Sequence, residues 1–391
     1  MRFAGTAGDS AGSPMASLTT RERSLLALLR GRGPLPRSDI ARLMDLSGPA
    51  VFRATEDLAR LGLVEIGPGV IQGRGQPSAL ASLNAGAFLT AGLAVMSDRA
   101  EAVLMDLSGA IIGADEVSAP GMQCDAIADN LQAFITYVCS KRGIPPDRVG
   151  AVGVAVAGYF IREGTMLNTS PELDDWALVE FRTRMAARLG RPVEIENVAR
   201  AAAVGEAILG VGRWAPSFAY LNIAAGLGCG IIVDGELMRG RWGNAGEIGA
   251  LPERLGAVKP TLERLCEILA ENGVATDGVG DMLAAYQASW PGLDQWIAEA
   301  APALSTLALI LHYTLDLDAV VIGGRLPPDL AQRLVEAITW LDDDRPARRG
   351  KPLPRPRIVA AELTAQSAAI GAASVPLKRL FFSPPASTET G

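Results

Sequence analysis

The stretch at residues 90–112, TAGLAVMSDRAEAVLMDLSGAII, has two apolar runs on either side of the polar turn 96–99. Apolar runs that flank a short polar turn predict a β-hairpin. A second stretch of the same design, SFAYLNIAAGLGCGIIVDGEL, lies at residues 217–237. In both places further strand-like runs and helical patterns follow. The sequence therefore predicts two halves of similar design, which indicates an internal duplication.

Strand-like runs alternate with longer helical patterns over residues 86–378. This alternation predicts an α/β body whose sheets are covered by helices. We divide the body into a first lobe at 86–199 and a second lobe at 200–378. The final helix could pack back on the first lobe. The predicted strands are 90–95, 102–106, 149–155, 193–196, 217–223, 230–233, 319–322 and 358–361. The predicted helices are 126–142, 176–189, 199–209, 262–271, 293–315 and 330–341.

Length and composition narrow the class of protein. A chain of 391 residues suggests two or three domains, and 49% apolar with 20% charged residues fits a globular protein. His312 is the single histidine, so histidine-based triads and histidine–cysteine zinc sites are excluded. The cysteines lack CxxC spacing and are expected to be reduced structural thiols. They are Cys124, Cys139, Cys229 and Cys266.

The sequence has no apolar stretch long enough to cross a bilayer and no basic segment followed by an apolar core at its start. We therefore expect no membrane span, no signal peptide and a cytoplasmic location. Residues 1–18 and 379–391 are expected to be tails, the first of them disordered.

Charge is distributed unevenly along the chain. Residues 17–80 contain nine arginines and six acidic residues, a net charge of +3. Since the whole chain carries −7, the remainder carries −10. A basic head on an acidic body indicates that only the head meets a polyanion. A chance fluctuation of surface charge is the alternative.

Residues 19–80 predict a winged helix-turn-helix. Helical patterns begin at Thr20 and Arg37, a turn with Ser47 as N-cap precedes a third helix at 47–61, and a strand at 62–66 leads into a basic hairpin. The first turns of the third helix would face base edges, while the Gly-Arg-Gly-Gln stretch at 73–76 would contact phosphate or the minor groove. An interaction module that never binds DNA is the alternative. The candidate DNA contacts are Arg37, Ser47, Ala50, Phe52, Arg53, Arg74 and Gln76.

The order of these motifs over residues 20–378 resembles the repressor branch of the ROK family (repressor, open reading frame, kinase). The resemblance implies an N-terminal winged helix joined to a two-lobed, sugar-kinase-like body with the actin/hexokinase/Hsp70 fold. The segments that carry it are the head, 92–109, 153–158, 194–206, 221–235, 243–249 and 320–324.

Several positions depart from the kinases of that family. The first phosphate hairpin of the kinases resembles Gly-Ile-Asp-Ile-Gly-Gly-Thr-Lys, where this chain has Ala94 for the metal-side acid and Met-Ser-Asp at 96–98 for the phosphate cradle. In the Glu-Asn-Asp-Ala-Asn motif, Val198 replaces the catalytic base. The second hairpin, 224–230, keeps its late glycines and loses a hydroxyl. These changes predict a protein without kinase activity.

The resemblance also implies a zinc site and a sugar site. Gly-Glu-x-Gly at 246–249 is followed by Ala250 instead of histidine, and the next segment offers only Cys266, so we expect no zinc and no other cofactor. Asn197 and Glu247 correspond to family residues that bind sugar hydroxyls. Alternatively, Asn197 caps the following helix and Glu247 pairs with an arginine. Trp176 and Trp242 are candidates for stacking on a sugar, although we expect both to pack in the core.

We therefore expect a non-catalytic regulator, a repressor, that binds double-stranded DNA as a dimer or tetramer. A small carbohydrate-like molecule would be its effector, with a modified sugar, another small molecule or no ligand as alternatives. The competing hypotheses are a sugar kinase with a fused winged helix and an interaction protein that binds neither DNA nor ligand.

Replacing the missing base alone should not create a kinase. Val198→Asp would restore a proton acceptor, a contribution of about 10²–10⁴-fold in active enzymes. The phosphate side would still lack its acid at Ala94 and its glycine cradle. We expect no ATP-dependent phosphorylation of glucose or N-acylhexosamines by this variant in a coupled assay. Turnover would contradict the loss of the phosphate side.

Overall fold

The computed structural model describes residues 18–70, 78–162, 165–340, 349, 351, 353–363 and 366–382. The chain forms two compact units. The first, the head, consists of Met1–Ala87 with Leu377–Gly391, and the second, the body, consists of Phe88–Pro376. The head therefore extends beyond residue 80 and includes the end of the chain.

The head contains the order of elements that the sequence predicts: two helices, a turn, a third helix and a hairpin. Thr19 caps the first helix, because its hydroxyl accepts from the Glu22 amide while the Glu22 carboxylate accepts from the Thr19 amide. The strands form one sheet in the order β1-β3-β2. The elements are α1 (Thr20–Arg32), β1 (Leu35–Pro36), α2 (Arg37–Leu43), α3 (Gly48–Arg60), β2 (Val64–Val70) and β3 (Ser78–Leu83).

The segment Lys378–Phe382 is a helical turn that packs on α1. From the sequence we expected a tail from residue 379. Arg23 is buried and donates to the carbonyls of Arg379, at 3.0 Å, and Leu380. The Arg30 guanidinium lies 4.8 Å from the centre of the Phe382 ring. Two arginines of α1 thus hold the segment Lys378–Phe382 in the head.

The first lobe of the body is a five-stranded sheet in the order β10-β7-β4-β5-β6, beside a small two-stranded sheet of β8 and β9. Strands β4, β7 and β10 are parallel, β5 pairs antiparallel with β4, and β6 pairs antiparallel with β5. The elements are β4 (Leu89–Val95), β5 (Ala100–Asp106), β6 (Ile111–Glu116), α4 (Cys124–Arg142), β7 (Val149–Val156), β8 (Tyr159–Arg162), β9 (Met166–Asn168), α5 (Phe181–Leu189) and β10 (Val193–Asn197).

The second lobe repeats this design, with its five strands in the order β13-β12-β11-β14-β15. In both sheets the first strand of the hairpin is the central strand, and two strands parallel to it lie on one side of it. This repeated arrangement is the predicted duplication. The elements are α6 (Val198–Leu209), β11 (Phe218–Ile223), β12 (Leu227–Val233), β13 (Glu236–Leu237), α7 (Leu251–Arg254), α8 (Leu262–Glu271), α9 (Gly278–Ala285), α10 (Leu293–Leu315), β14 (Ala319–Gly324), α11 (Pro328–Ala337), β15 (Arg357–Ala360) and α12 (Ser367–Leu377).

Helix α12 packs on glycines of the first sheet at distances that exclude a side chain. A Cβ at Gly153 would lie 1.8 Å from the carbonyl oxygen of Ala372, and one at Gly92 would lie 2.0 Å from that of Ala369. On its own surface, a Cβ at Gly371 would lie 1.8 Å from the carbonyl oxygen of Ala201 in α6. Glycine at these positions is thus explained by helix packing.

Gly153→Ala should destabilise the body, because the added methyl group meets backbone that cannot rotate away. We expect a loss of about 1–3 kcal/mol in the free energy of unfolding, measured by urea denaturation. Gly226→Ala is the matched control, since a Cβ there meets nothing within 4 Å. Its effect should stay within about 0.5 kcal/mol. Equal stability of the two variants would contradict the packing argument.

Candidate functional site

Two exposed side chains at the start of α3 make no hydrogen bond or ion pair with the described residues. Arg53 is exposed and makes no hydrogen bond or ion pair with any residue that the structure describes. Ser47 is exposed at the N-cap, and its hydroxyl makes no capping hydrogen bond, contrary to the sequence expectation. Phe52, between them, is 53% exposed. The start of α3 thus exposes a hydroxyl, an aromatic ring and a guanidinium group to solvent.

Two of the predicted DNA contacts are positioned differently. Ala50 is 9% exposed and belongs to the core of the head, so its methyl group does not face a groove, which corrects the expectation. Arg37 donates to a Glu56 carboxylate oxygen at 2.6 Å, and its guanidinium lies 4.7 Å from the centre of the Phe52 ring. These contacts join α2 to α3, and a role of Arg37 toward DNA stays a prediction. Arg74 and Gln76 lie outside the described residues.

Some arginines of the head form ion pairs with neighbouring carboxylates, and others do not. Arg42 and Arg60 pair with aspartates one turn away on their own helices. Across the described part of the head, the exposed arginines without such a pair are Arg21, Arg32 and Arg53. Because paired arginines attract a polyanion less, net charge overstates the cationic surface, and the free charge lies on α1 and α3.

In the body, Asn197 caps helix α6. Its Oδ1 accepts from the amides of Ala199 at 2.8 Å and Arg200 at 3.2 Å, while its Nδ2 donates to the Gly158 carbonyl at 2.6 Å. The amide group is thus already engaged at both ends. The capping alternative raised from the sequence describes this geometry.

A buried ion pair lies next to this cap. Glu196 accepts from Arg200 Nε at 2.7 Å and from Arg239 at 3.1 Å. The Arg200 side chain is 1% exposed and lies 5.1 Å from the centre of the Phe160 ring. Phe160 is itself fixed by both ends of the Asn244 side-chain amide. The first lobe is therefore tied to the loop that precedes Glu247.

Glu247 lies in that loop with its side chain open to solvent. Partial enclosure by the protein raises the pKa of its carboxyl, and the charge of Arg200 opposes this. The described residues provide no salt bridge to Glu247. The alternative that Glu247 pairs with an arginine therefore does not describe its geometry. Trp176 is buried as expected, but Trp242 is 65% exposed, contrary to the core packing we expected for it.

The positions that distinguish kinases are filled as the sequence indicates. Ala94 is fully buried and Val198 is 6% exposed. Both side chains are aliphatic, so neither offers a carboxylate. Asp98, however, accepts from Arg325 at 2.7 and 2.8 Å. The negative charge expected to repel phosphate is thus paired with an arginine of the second lobe.

The retained glycines of the second hairpin have a packing role. A Cβ at Gly228 would lie 2.8 Å from that of Ala199, and one at Gly230 would lie 2.5 Å from that of Ala203, both in α6. These glycines let α6 lie close to β12. Their retention therefore carries no information about phosphate binding.

The described residues include no cluster of three or more histidine, cysteine or acidic side chains suited to a metal ion. The four cysteines are free, and burial raises the pKa of Cys124 and Cys229 to about 12. Among the described helices, none has the length and apolarity needed to cross a bilayer.

Comparison with known proteins identifies the body. Residues 90–266 match the family model described as the ROK family. The body belongs to the ROK family. Over 58% of its length the chain is 27% identical to the xylose repressor of Bacillus subtilis, an alignment that spans 59% of that repressor. The chain thus covers less than two thirds of this relative.

Two solved ROK structures share the fold. One is a ROK family transcriptional regulator described as a homolog of the E. coli MLC protein, with a TM-score of 0.68 and 18% identity over 93% of this chain and 96% of that one. The other is a ROK glucokinase from Streptomyces griseus, solved with glucose and AMPPNP, with a TM-score of 0.58 and 24% identity over 73% of this chain and 98% of that one. Regulators and kinases of the family therefore share this architecture.

Proposed function

We propose that this ROK protein is a sequence-specific DNA-binding transcriptional regulator, acting as a repressor without kinase activity. One observation carries the proposal: the start of α3 presents an exposed Ser47 hydroxyl at the N-cap and, in the helix, an exposed Arg53 that is unpaired among the described residues. Helix N-terminal turns with such side chains enter the major groove in helix-turn-helix proteins. The xylose repressor among the relatives supports the same assignment.

In this proposal the head is a winged helix. Helices α2 and α3 form the helix-turn-helix, and β2 and β3 form the wing. Arg37, buttressed by Glu56 and Phe52, holds the two helices at their angle. Arg74 and Gln76 belong to the connection between β2 and β3, where they would contact phosphate or the minor groove.

A sugar kinase with a fused winged helix is the second candidate, favoured by the shared fold with the glucokinase of Streptomyces griseus. Phosphoryl transfer needs a group that accepts the hydroxyl proton and electrostatic stabilisation of the phosphates. Val198 and Ala94 offer neither, because both side chains are aliphatic. These two positions favour a regulator.

We infer that the effector is a carbohydrate-like molecule bound at the Glu247 loop. A carboxylate can accept from two sugar hydroxyls, and the exposed Trp242 ring offers an apolar face for the sugar ring. Asn197 could bind the sugar only if its side chain lost one of its hydrogen bonds to the Ala199 amide or the Gly158 carbonyl. An operator with two-fold symmetry requires paired heads, so the cytoplasmic regulator acts as a dimer or tetramer.

Arg53→Ala should weaken binding to the operator and relax its specificity. We expect a loss of about 1–3 kcal/mol of binding free energy, measured by fluorescence anisotropy with DNA from the upstream region of its own gene. Arg32→Ala is the control, because Arg32 is equally exposed but lies at the end of α1. It should weaken specific and random DNA alike. Sequence-blind losses in both variants would contradict the assignment of α3.

Glu247→Ala should abolish the response of DNA binding to the effector and leave DNA binding by the free protein unchanged. Allosteric effectors usually change affinity about five- to 150-fold, and that change should vanish in this variant. Xylose, glucose and N-acylhexosamines are the sugars to titrate. Glu253→Ala, an exposed acid on α7, should respond as the wild type. An unchanged response of Glu247→Ala would place the ligand elsewhere.

A further inference from the structure

A cavity of about 480 Å³ lies between the two lobes of the body, where Val198 and Ala224 of the kinase-related motifs line it, and no residue of 243–249 contributes to its lining. Its volume falls within the range of small-molecule sites, about 300–1,000 Å³. One wall is apolar and includes Met96, Leu283 and Leu326. The other wall is polar and contains Arg99, Glu101, Asn222 and Arg325.

Several polar groups of this wall have unused hydrogen-bonding capacity. Arg325 Nη1 binds both oxygens of Asp98, but its Nη2 is buried and makes no hydrogen bond with the described residues. The same holds for Nε of Arg99. Asn222, which is 8% exposed and carries a side-chain amide, also lines the cavity. Buried polar groups are normally hydrogen-bonded, so this arrangement fits a ligand with acceptor atoms.

The charges of the wall limit what that ligand can be. Two arginines face two carboxylates, those of Asp98 and Glu101. Burial raises the pKa of Glu101, an effect that Glu116 reinforces and that Arg99 and Arg325 oppose. A single negative charge on the ligand is balanced if Glu101 takes up a proton. A second or third negative charge would face Asp98 without compensation.

We propose that this cavity is a second ligand site that takes a small carboxylic acid with an apolar body. The ligand carboxylate pairs with Arg325 and Arg99, Asn222 supplies a further hydrogen bond, and the hydrocarbon part lies against Met96 and Leu326. Because Asp98 belongs to the first lobe and Arg325 to the second, the carboxylate competes with Asp98 for Arg325. Binding therefore acts on a contact between the lobes.

The test uses the full-length protein and matched probes. Phenylacetate and 4-methylpentanoate are the carboxylates, phenylacetamide and 4-methylpentanamide are their neutral counterparts, and phenyl phosphate and ATP carry more charge. We expect both acids to raise the melting temperature and to give saturable binding by calorimetry, while amides and phosphates do not. Failure of both acids, or equal binding by the amides, overturns the proposal.

Variants separate charge recognition from loss of structure. Arg325→Ala should weaken carboxylate binding about tenfold or more. Glu101→Gln, which is nearly isosteric, should tighten it, because it removes a negative charge without an added proton. Arg254→Ala, an exposed arginine on α7, should bind as the wild type. If Arg325→Ala fails to fold, Glu101→Gln decides: weaker or unchanged binding overturns the proposal.

This site stands independently of the carbohydrate effector. In Glu247→Ala, carboxylate binding should persist even though the sugar response is lost. A parallel loss of both ligands in that variant would show that the acids bind at the Glu247 loop, which also overturns the proposal. Failure of the acids alone leaves the proposed regulator function unaffected.

Discussion

The close contact of α12 with glycine backbone fixes the arrangement of the body. Gly92 and Gly153 lie on adjacent parallel strands at the centre of the first sheet, and both lack the side chain that would hold α12 away. The opposite side of α12 approaches α6 through Gly371 and Ala201 just as closely. Since neither contact tolerates a Cβ, α12 is held between the first sheet and α6. The fold therefore depends on small residues at these positions.

That constraint separates the scaffold from the chemistry that kinases perform on it. Gly228 and Gly230 are retained because α6 leaves no room for a side chain there. Ala94 and Val198 have no such requirement, since an aliphatic side chain packs well at either buried position. A chain can thus lose its acid and its base while every packing glycine stays. Glycine motifs in this fold report architecture, and the carboxylates report activity.

The sequence predicted those features that depend on local patterns, and it missed those that depend on tertiary contacts. Apolar runs and turns defined the helices of the head and the hairpins of both sheets. The burial of Ala50 is an exception, because Ala50, Ala54 and Leu58 recur at helical spacing and could have been placed on the core face from the sequence. The exposure of Trp242 and the pairing of Asp98 with Arg325 arise from distant segments. The packing of Lys378–Phe382 was unpredictable for the same reason, because Arg23 binds carbonyls more than 350 positions away.

The chain passes between the two units at two places, after Ala87 and after Pro376. The first passage leads into β4 and the second follows the main part of α12, and these two elements touch each other at Gly92. Arg23 and Arg30 of α1 contact Arg379 and Phe382 beyond α12, so the segment Lys378–Phe382 is held within the head by side-chain contacts that no local sequence pattern encodes.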